Sequence, residues 1–286
     1  MKYGFGLSPA LAVSWRSDAG DKCVDAHLKM LAESVGMDEL ADDGNASCRI
    51  LADDHVPSPP DEVIGFKRMK IRFEPGIGIN DVTVRDFDET PGELEHSRWC
   101  NVRRLAFQGL APHLLRRECF IVHGALLESP RGALLLCGPS GIGKSTTSLR
   151  LAKFADILAD DCFCLYRRDG AWRARPQPTW SSYLFGKARL AKCEARHETR
   201  VSQLLIIGRS AEKYTKLSPD EAMLGIANSF TDMVKWHIER YPEKLRSQLL
   251  AVAVDGASQL ARTLPVGALQ LTLDCDVHRL LSEIFT

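Results

Sequence analysis

The chain has 286 residues, enough for one large domain or two ordinary ones, and its 45% hydrophobic and 26% charged content is that of a soluble globular protein. Lys plus Arg and Asp plus Glu are equal at 37 each, which leaves no electrostatic footprint for nucleic acid or anionic membrane. No apolar run approaches the ~20 residues of a membrane span, and the N-terminus lacks a signal-peptide core. Nine scattered cysteines without a C-x-x-C pair indicate a reduced, cytoplasmic protein. Cys162 and Cys164 are expected on opposite sides of a strand, which argues against a shared metal.

In chain order, Leu7–Trp15 is a short apolar stretch, and Asp21–Met37 carries Val24, Leu28, Leu31 and Val35 at helical spacing. Ser47–Ala52 reads as a short strand. Asp53–Glu62 is a loop, because three prolines and four acids suit neither helix nor strand. Val63–Phe73 and Asp81–Phe87 read as strands about a turn at Gly76–Gly78. Residues 1–95 are therefore expected to form a small α/β domain that recognises a substrate or partner, with 96–286 as a second domain.

Gly92–Arg117 predicts one or two helices interrupted near Pro112, followed by a strand over Glu118–Glu128 that carries His123. A turn at Ser129–Gly132 returns the chain into the apolar strand Ala133–Cys137. That strand delivers Gly138-Pro139-Ser140-Gly141-Ile142-Gly143-Lys144-Ser145-Thr146, which fits the phosphate-loop pattern G-x-x-x-x-G-K-[ST]. Glycines let backbone N–H groups close on an anion, and the helix starting near Lys144 adds its positive end. Lys144 supplies a mobile charge for the β- and γ-phosphates, and the Ser145 hydroxyl suits Mg²⁺.

After the loop helix, Asp156–Tyr166 reads as one largely apolar strand broken by Asp160 and Asp161. Two carboxylates in a buried run are costly unless they meet a metal or a partner. They follow Lys144 by 16 and 17 residues, about one helix plus one return strand, a spacing that can bring them beside the loop. There they can hold Mg²⁺ or take a proton from an attacking hydroxyl. Trp172–Lys192 reads as loop, and Val201–Gly208 as a buried strand. Leu217–Glu221 is a helix start, with Ser218 as N-cap, Pro219 next and Glu221 closing a capping box. Broken helices to Arg262, a strand at Val266–Leu273 and a helix at Val277–Phe285 complete the chain.

Three segments, Val122-His-Gly-Ala-Leu-Leu127, Gly138–Ser145 and Leu158-Ala-Asp-Asp161, resemble the kinase domain of the HPr kinase/phosphorylase family. The resemblance spans about residues 118–168 and implies an α/β fold with α+β character, a PEP carboxykinase-like nucleotide-binding domain. It implies that Lys144 binds phosphate, that Ser145 binds Mg²⁺, that Asp161 deprotonates a substrate serine, and that His123 sits near the reacting phosphates. Thr146 replaces the family's acid after the loop serine, and its glycine-rich signature with a metal-binding Glu is not recognisable around Arg173–Lys192. The chain is in these respects similar to relatives that serve peptide-maturation cassettes, lasso-peptide kinases and SynChlorMet cassette proteins among them.

The expected function is transfer of the γ-phosphoryl group of ATP, with Mg²⁺, to a hydroxyl, first of all a serine of a peptide or protein. Nucleic acid and membrane are not expected partners, and a homo-oligomer is compatible with the sequence. The alternatives are a small-molecule phosphate-loop kinase and a non-catalytic nucleotide-binding module. Small-molecule kinases usually begin with the phosphate loop, whereas here about 135 residues precede it.

Overall fold

Short, largely apolar or alternating runs build two separate sheets. The computed structural model describes residues 2–6, 12–17, 29, 32, 36–41, 48–52, 69–72, 80–84, 110–177, 195–210, 212–238, 241–272 and 280. Two compact units emerge, Met1–Arg117 with His237–Arg246, and Glu118–Trp236 with Ser247–Thr286. The boundary expected at residue 95, most of the helix expected over Asp21–Met37 and the helix expected over Val277–Phe285 lie outside the described residues.

In the first unit, β1 (Lys2–Gly6), β2 (Ala12–Ser17), β3 (Asp38–Leu40), β4 (Cys48–Ala52), β5 (Met69–Arg72) and β6 (Asn80–Val84) form one sheet in the order β3-β1-β2-β4-β6-β5. β2, β4 and β6 run parallel, flanked by the antiparallel partners β1 and β5. Residues 110–115 are helical straight through Pro112, where the sequence suggested a break, and the Arg116 N–H donates to the Pro112 carbonyl at 3.1 Å.

The second unit holds the mixed sheet of an α/β fold. Its strands are β7 (Phe120–His123), β8 (Ala125–Ser129), β9 (Gly132–Cys137), β10 (Asp156–Ala159), β11 (Cys162–Arg168), β12 (Ala171–Pro176), β13 (Thr199–Gly208), β14 (Lys213–Lys216) and β15 (Val266–Gln270). The order is β10-β8-β9-β13-β12-β11-β7, with β15 on β13 and β14 on β15. β9 and β15 both run parallel to β13, and Ala133–Cys137 is buried throughout. Burial on both faces explains why this run is apolar without alternation.

Two expected single strands prove to be bent pairs. The strand expected over Glu118–Glu128 breaks at Gly124 into β7 and β8, and the one expected over Asp156–Tyr166 breaks at Asp160–Asp161 into β10 and β11. β7 pairs with β11 while β8 pairs with β10, so the same two chain segments cross from one part of the sheet to another. A hydrogen bond from the Gly124 N–H to the Asp161 carbonyl, 3.0 Å, closes the corner. A Cβ at Gly124 would lie 2.6 Å from the Leu136 carbonyl oxygen and 2.9 Å from the Phe163 ring, which is why the bend falls on a residue without one.

Three helices complete the described part of the unit: α1 (Lys144–Leu151), α2 (Pro219–Ile238) and α3 (Glu243–Thr263). The expected capping box is formed, with the Ser218 N–H donating to Glu221 Oε2 at 2.9 Å and the Glu221 N–H to Ser218 Oγ at 3.4 Å. Phe120 packs on Phe230 of α2, ring centroids 5.0 Å apart, and against Gly256 of α3. Two expectations are corrected. Trp172–Pro176 belongs to strand β12, not loop, because Trp172 and Ala174 alternate with Arg173 and Arg175 and bury one face. Cys162 and Cys164 share a face of β11, since side chains two apart in a strand return to the same side.

Candidate functional site

β9 ends at Cys137 and the chain turns through Gly138–Gly143 into α1. Gly138 has φ +144° and Gly143 φ +110°, conformations that a side chain resists. A Cβ at Gly138 would also press to 3.0 Å from the Ile207 carbonyl oxygen. Gly143 stands at the N-cap with no side-chain cap, so the first N–H groups of α1 keep their hydrogen-bonding capacity for an anion. Lys144 is buried, and its Nζ donates to the carbonyls of Gly138 at 2.8 Å and Pro139 at 3.0 Å. Thr146 follows in the first turn and is exposed.

The corner of the bent strands meets this loop. Ser145 Oγ donates to the Asp160 carbonyl at 3.3 Å, which ties α1 to the turn between β10 and β11. Asp160 is buried to 3% exposure, while the neighbouring Asp161 side chain keeps 35%. Asp161 Oδ1 lies 3.4 Å from His123 Nε2 at the end of β7. His123, Ser145, Asp160 and Asp161 thus gather around one corner, and Lys144 comes near enough for charge interaction with both His123 and Asp161.

Burial, and then the positive charge of Lys144, lower the His123 pKa against the opposing pull of Asp161 and Asp232, which favours a neutral ring. Burial also lowers the Lys144 pKa, opposed by Cys137, Asp161 and Asp232. The Cys137 thiol is pushed up to about 12 by complete burial and is inert as a nucleophile.

Three residues were missed in the sequence. Arg209 follows β13 directly and clamps the loop, donating from Nε to the Ile142 carbonyl at 3.0 Å and from Nη2 to the Gly141 carbonyl at 2.7 Å. The parallel pairing of β13 with β9 brings their carboxyl ends together, and ligands of open α/β sheets bind at such ends. Ser229 and Asp232 stand three apart on α2 and share a face. Ser229 Oγ donates to the Gly225 carbonyl at 3.3 Å and favours the ionised form of the Cys137 thiol, and Asp232 acts on Lys144 and His123 through its charge. A signal existed in the i, i+3 spacing, but nothing in the sequence says that α2 lies over this corner.

The donors suit a hard cation, being hydroxyl and carboxylate oxygens. Among the described residues no three His, Cys, Asp or Glu side chains converge on a metal position. A Mg²⁺ ion at Ser145 and the acid pair would therefore complete its shell with phosphate and water oxygens, its usual habit at nucleotide sites.

A search of curated proteins returns no match. Among solved structures the chain is similar to an HPr(Ser) kinase/phosphatase from Coxiella burnetii, with 14% identity, a TM-score of 0.30, and coverage of 58% of this chain and 93% of that one. A family model described as SynChlorMet cassette protein ScmC matches residues 96–285, a span that includes the phosphate loop, the His123–Asp161 corner and α2. On that match over well more than half of its length, the chain belongs to the SynChlorMet cassette protein ScmC family.

Proposed function

We propose that the chain is an ATP-dependent kinase that transfers the γ-phosphoryl group to a hydroxyl, that of a serine in a peptide or protein. The observation that carries this reading is the Asp161 carboxylate, partly exposed and 3.4 Å from a half-buried, neutral-leaning His123, beside a glycine-rich loop that carries Lys144.

The chemistry follows from the groups present. Lys144 exchanges the carbonyls of Gly138 and Pro139 for phosphate oxygens when nucleotide binds. Asp161 accepts the proton of the acceptor hydroxyl. The hydroxyl oxygen then bonds to the γ-phosphorus as the bond to the β–γ bridging oxygen breaks, with ADP as leaving group. His123, 3.4 Å from Asp161 Oδ1, flanks the carboxylate that takes the proton. Mg²⁺ held at Ser145 and the acid pair would neutralise charge on the phosphates.

Asp161→Asn tests the assignment. It should abolish phosphoryl transfer while a fluorescent ATP analogue still binds within about threefold of wild type. Retained transfer refutes Asp161 as the base.

A further inference from the structure

The glycine-rich loop and α1 are fastened to the sheet at both ends, and both fastenings go to the same piece of the fold. From the last turn of α1, Arg150 Nη1 donates to the Thr272 carbonyl at 3.1 Å, just past β15. Thr272 Oγ1 in turn donates to Glu212 Oε1 at 2.6 Å, in the turn between β13 and β14. Ahead of α1, Arg209 reaches the loop from the end of β13 through its bonds to the carbonyls of Gly141 and Ile142.

Gln270 aims Arg209. The parallel register of β13 and β15 sets Gln270 beside Gly208, and the Leu271 N–H donates to the Gly208 carbonyl at 3.0 Å. The Gln270 side chain lies across Gly208, where a Cβ would fall 2.3 Å from its Oε1. The same Oε1 accepts from Ser210 Oγ at 3.0 Å. One side chain thus fixes the residues on both sides of Arg209, and with them the direction from which the guanidinium approaches the loop.

The peptide unit is planar and trans, so its C=O and N–H point in opposite directions. The Gly141 carbonyl shares a unit with the Ile142 N–H, and the Ile142 carbonyl shares one with the Gly143 N–H. Drawing both carbonyls to Arg209 turns both N–H groups away from it. The Ile142 N–H rests on a long 3.3 Å bond to the Pro139 carbonyl, an acceptor it shares with Lys144 Nζ. The Gly143 N–H opens α1, whose N-cap carries no side-chain cap. Packing does not hold this stretch: Gly141 has φ +74°, and a Cβ there would meet nothing within 4 Å. Successive N–H groups on such a backbone form an anion-binding hollow once their directions are fixed.

We propose that Arg209, aimed by Gln270, is a positioning residue for the phosphate chain: it holds two successive loop peptides with their N–H groups turned to the anion and does not itself touch the phosphates. The proposal takes its ligand from the kinase reading and is independent of the transfer step. Brace and charge are separable, because a planar guanidinium fork bridges two acceptors in a way that a lysine ammonium does not.

The test titrates the full chain with inorganic pyrophosphate and with tripolyphosphate by calorimetry. Arg209→Met should weaken both by roughly tenfold, the size of losing hydrogen bonds from a charged donor. Arg209→Lys keeps the charge without the fork and should stay within about twofold of the Met variant. Gln270→Ala leaves Arg209 and its charge in place and should weaken both anions several-fold. Ser210→Ala, which removes an exposed hydroxyl, should shift them in the same direction with Tm unchanged. Affinity within about twofold of wild type in Arg209→Met, or full recovery in Arg209→Lys, overturns the proposal. So does a loss confined to tripolyphosphate, which would mark direct contact with the terminal phosphate, or a wild-type chain that binds neither anion. The expected shifts without phosphoryl transfer from γ-labelled ATP leave the brace standing and count against the kinase reading.

Discussion

His123 is the residue through which the site can be read without a substrate. Its pKa is lowered first by burial and then by Lys144, and is raised by Asp161 and Asp232. Two substitutions should therefore move it in opposite directions. Lys144→Met removes a repelling cation and should raise the pH at which the ring titrates by NMR, whereas Asp232→Asn removes an attracting anion and should lower it. A shift of the same sign in both variants would show that the two charges do not face the ring. Arg209 sits at the same scale. Arg209→Met frees the carbonyls of Gly141 and Ile142, and nucleotide affinity should fall about tenfold with little change in Tm, because the guanidinium is exposed and its loss removes no packing. Gly138→Ala should do more, combining a strained φ with the contact at Ile207, and should cost about 1–3 kcal/mol in urea unfolding.

At the level of elements, the loop and its flanking strand were legible because each local rule agreed with the others: an apolar run, glycines at the turn, a lysine and a serine at fixed offsets. The Ser218–Glu221 capping box was legible for the same reason. The bends were not. Gly124 and the Asp160–Asp161 pair interrupt runs that are otherwise strand-like, and a local reading cannot tell a kinked strand from two strands with different neighbours. β12 was missed because the row Trp172-Arg-Ala-Arg-Pro176 alternates bulky apolar with charged residues, a pattern masked by the prolines around it. Gly256 offers a test of the packing that sets the corner. A Cβ there would fall 2.2 Å from the Phe120 ring, so Gly256→Ala should push α3 off β7 and lower stability by roughly 2–4 kcal/mol, measured by thermal unfolding.

For the whole molecule, part of the response to acid follows from two half-buried imidazoles. His113 is lowered from 6.5 to about 4, by burial first and then by Arg117 and Arg116, and His123 is lowered as well. A folded pKa below the unfolded one means that the unfolded chain takes up the proton first. The stability contributed by neutral His113 is thus complete above about pH 6.5 and is lost as pH falls toward 4, by an amount on the order of 2 kcal/mol. His113→Gln should flatten that part of the pH–Tm curve; an unchanged slope would mean that the ring is already charged in the folded protein. Equal totals of 37 and 37 conceal a local excess, nine Lys or Arg against three Asp or Glu over residues 166–200. Among the described residues no helix is long and apolar enough to cross a membrane.

The corner at Gly124 and Asp161 has a practical outcome for anyone exchanging parts between relatives. Because the segments 118–129 and 156–168 each thread through both parts of the sheet, no cut between them separates the glycine-rich loop from the β11–β12 ladder. A chimera that swaps Asp160 through Pro176 alone would import a bend whose mate at Gly124 belongs to the host. The two bent strands are therefore exchanged intact only as a block from Glu118 to Gln177, the glycine-rich loop included.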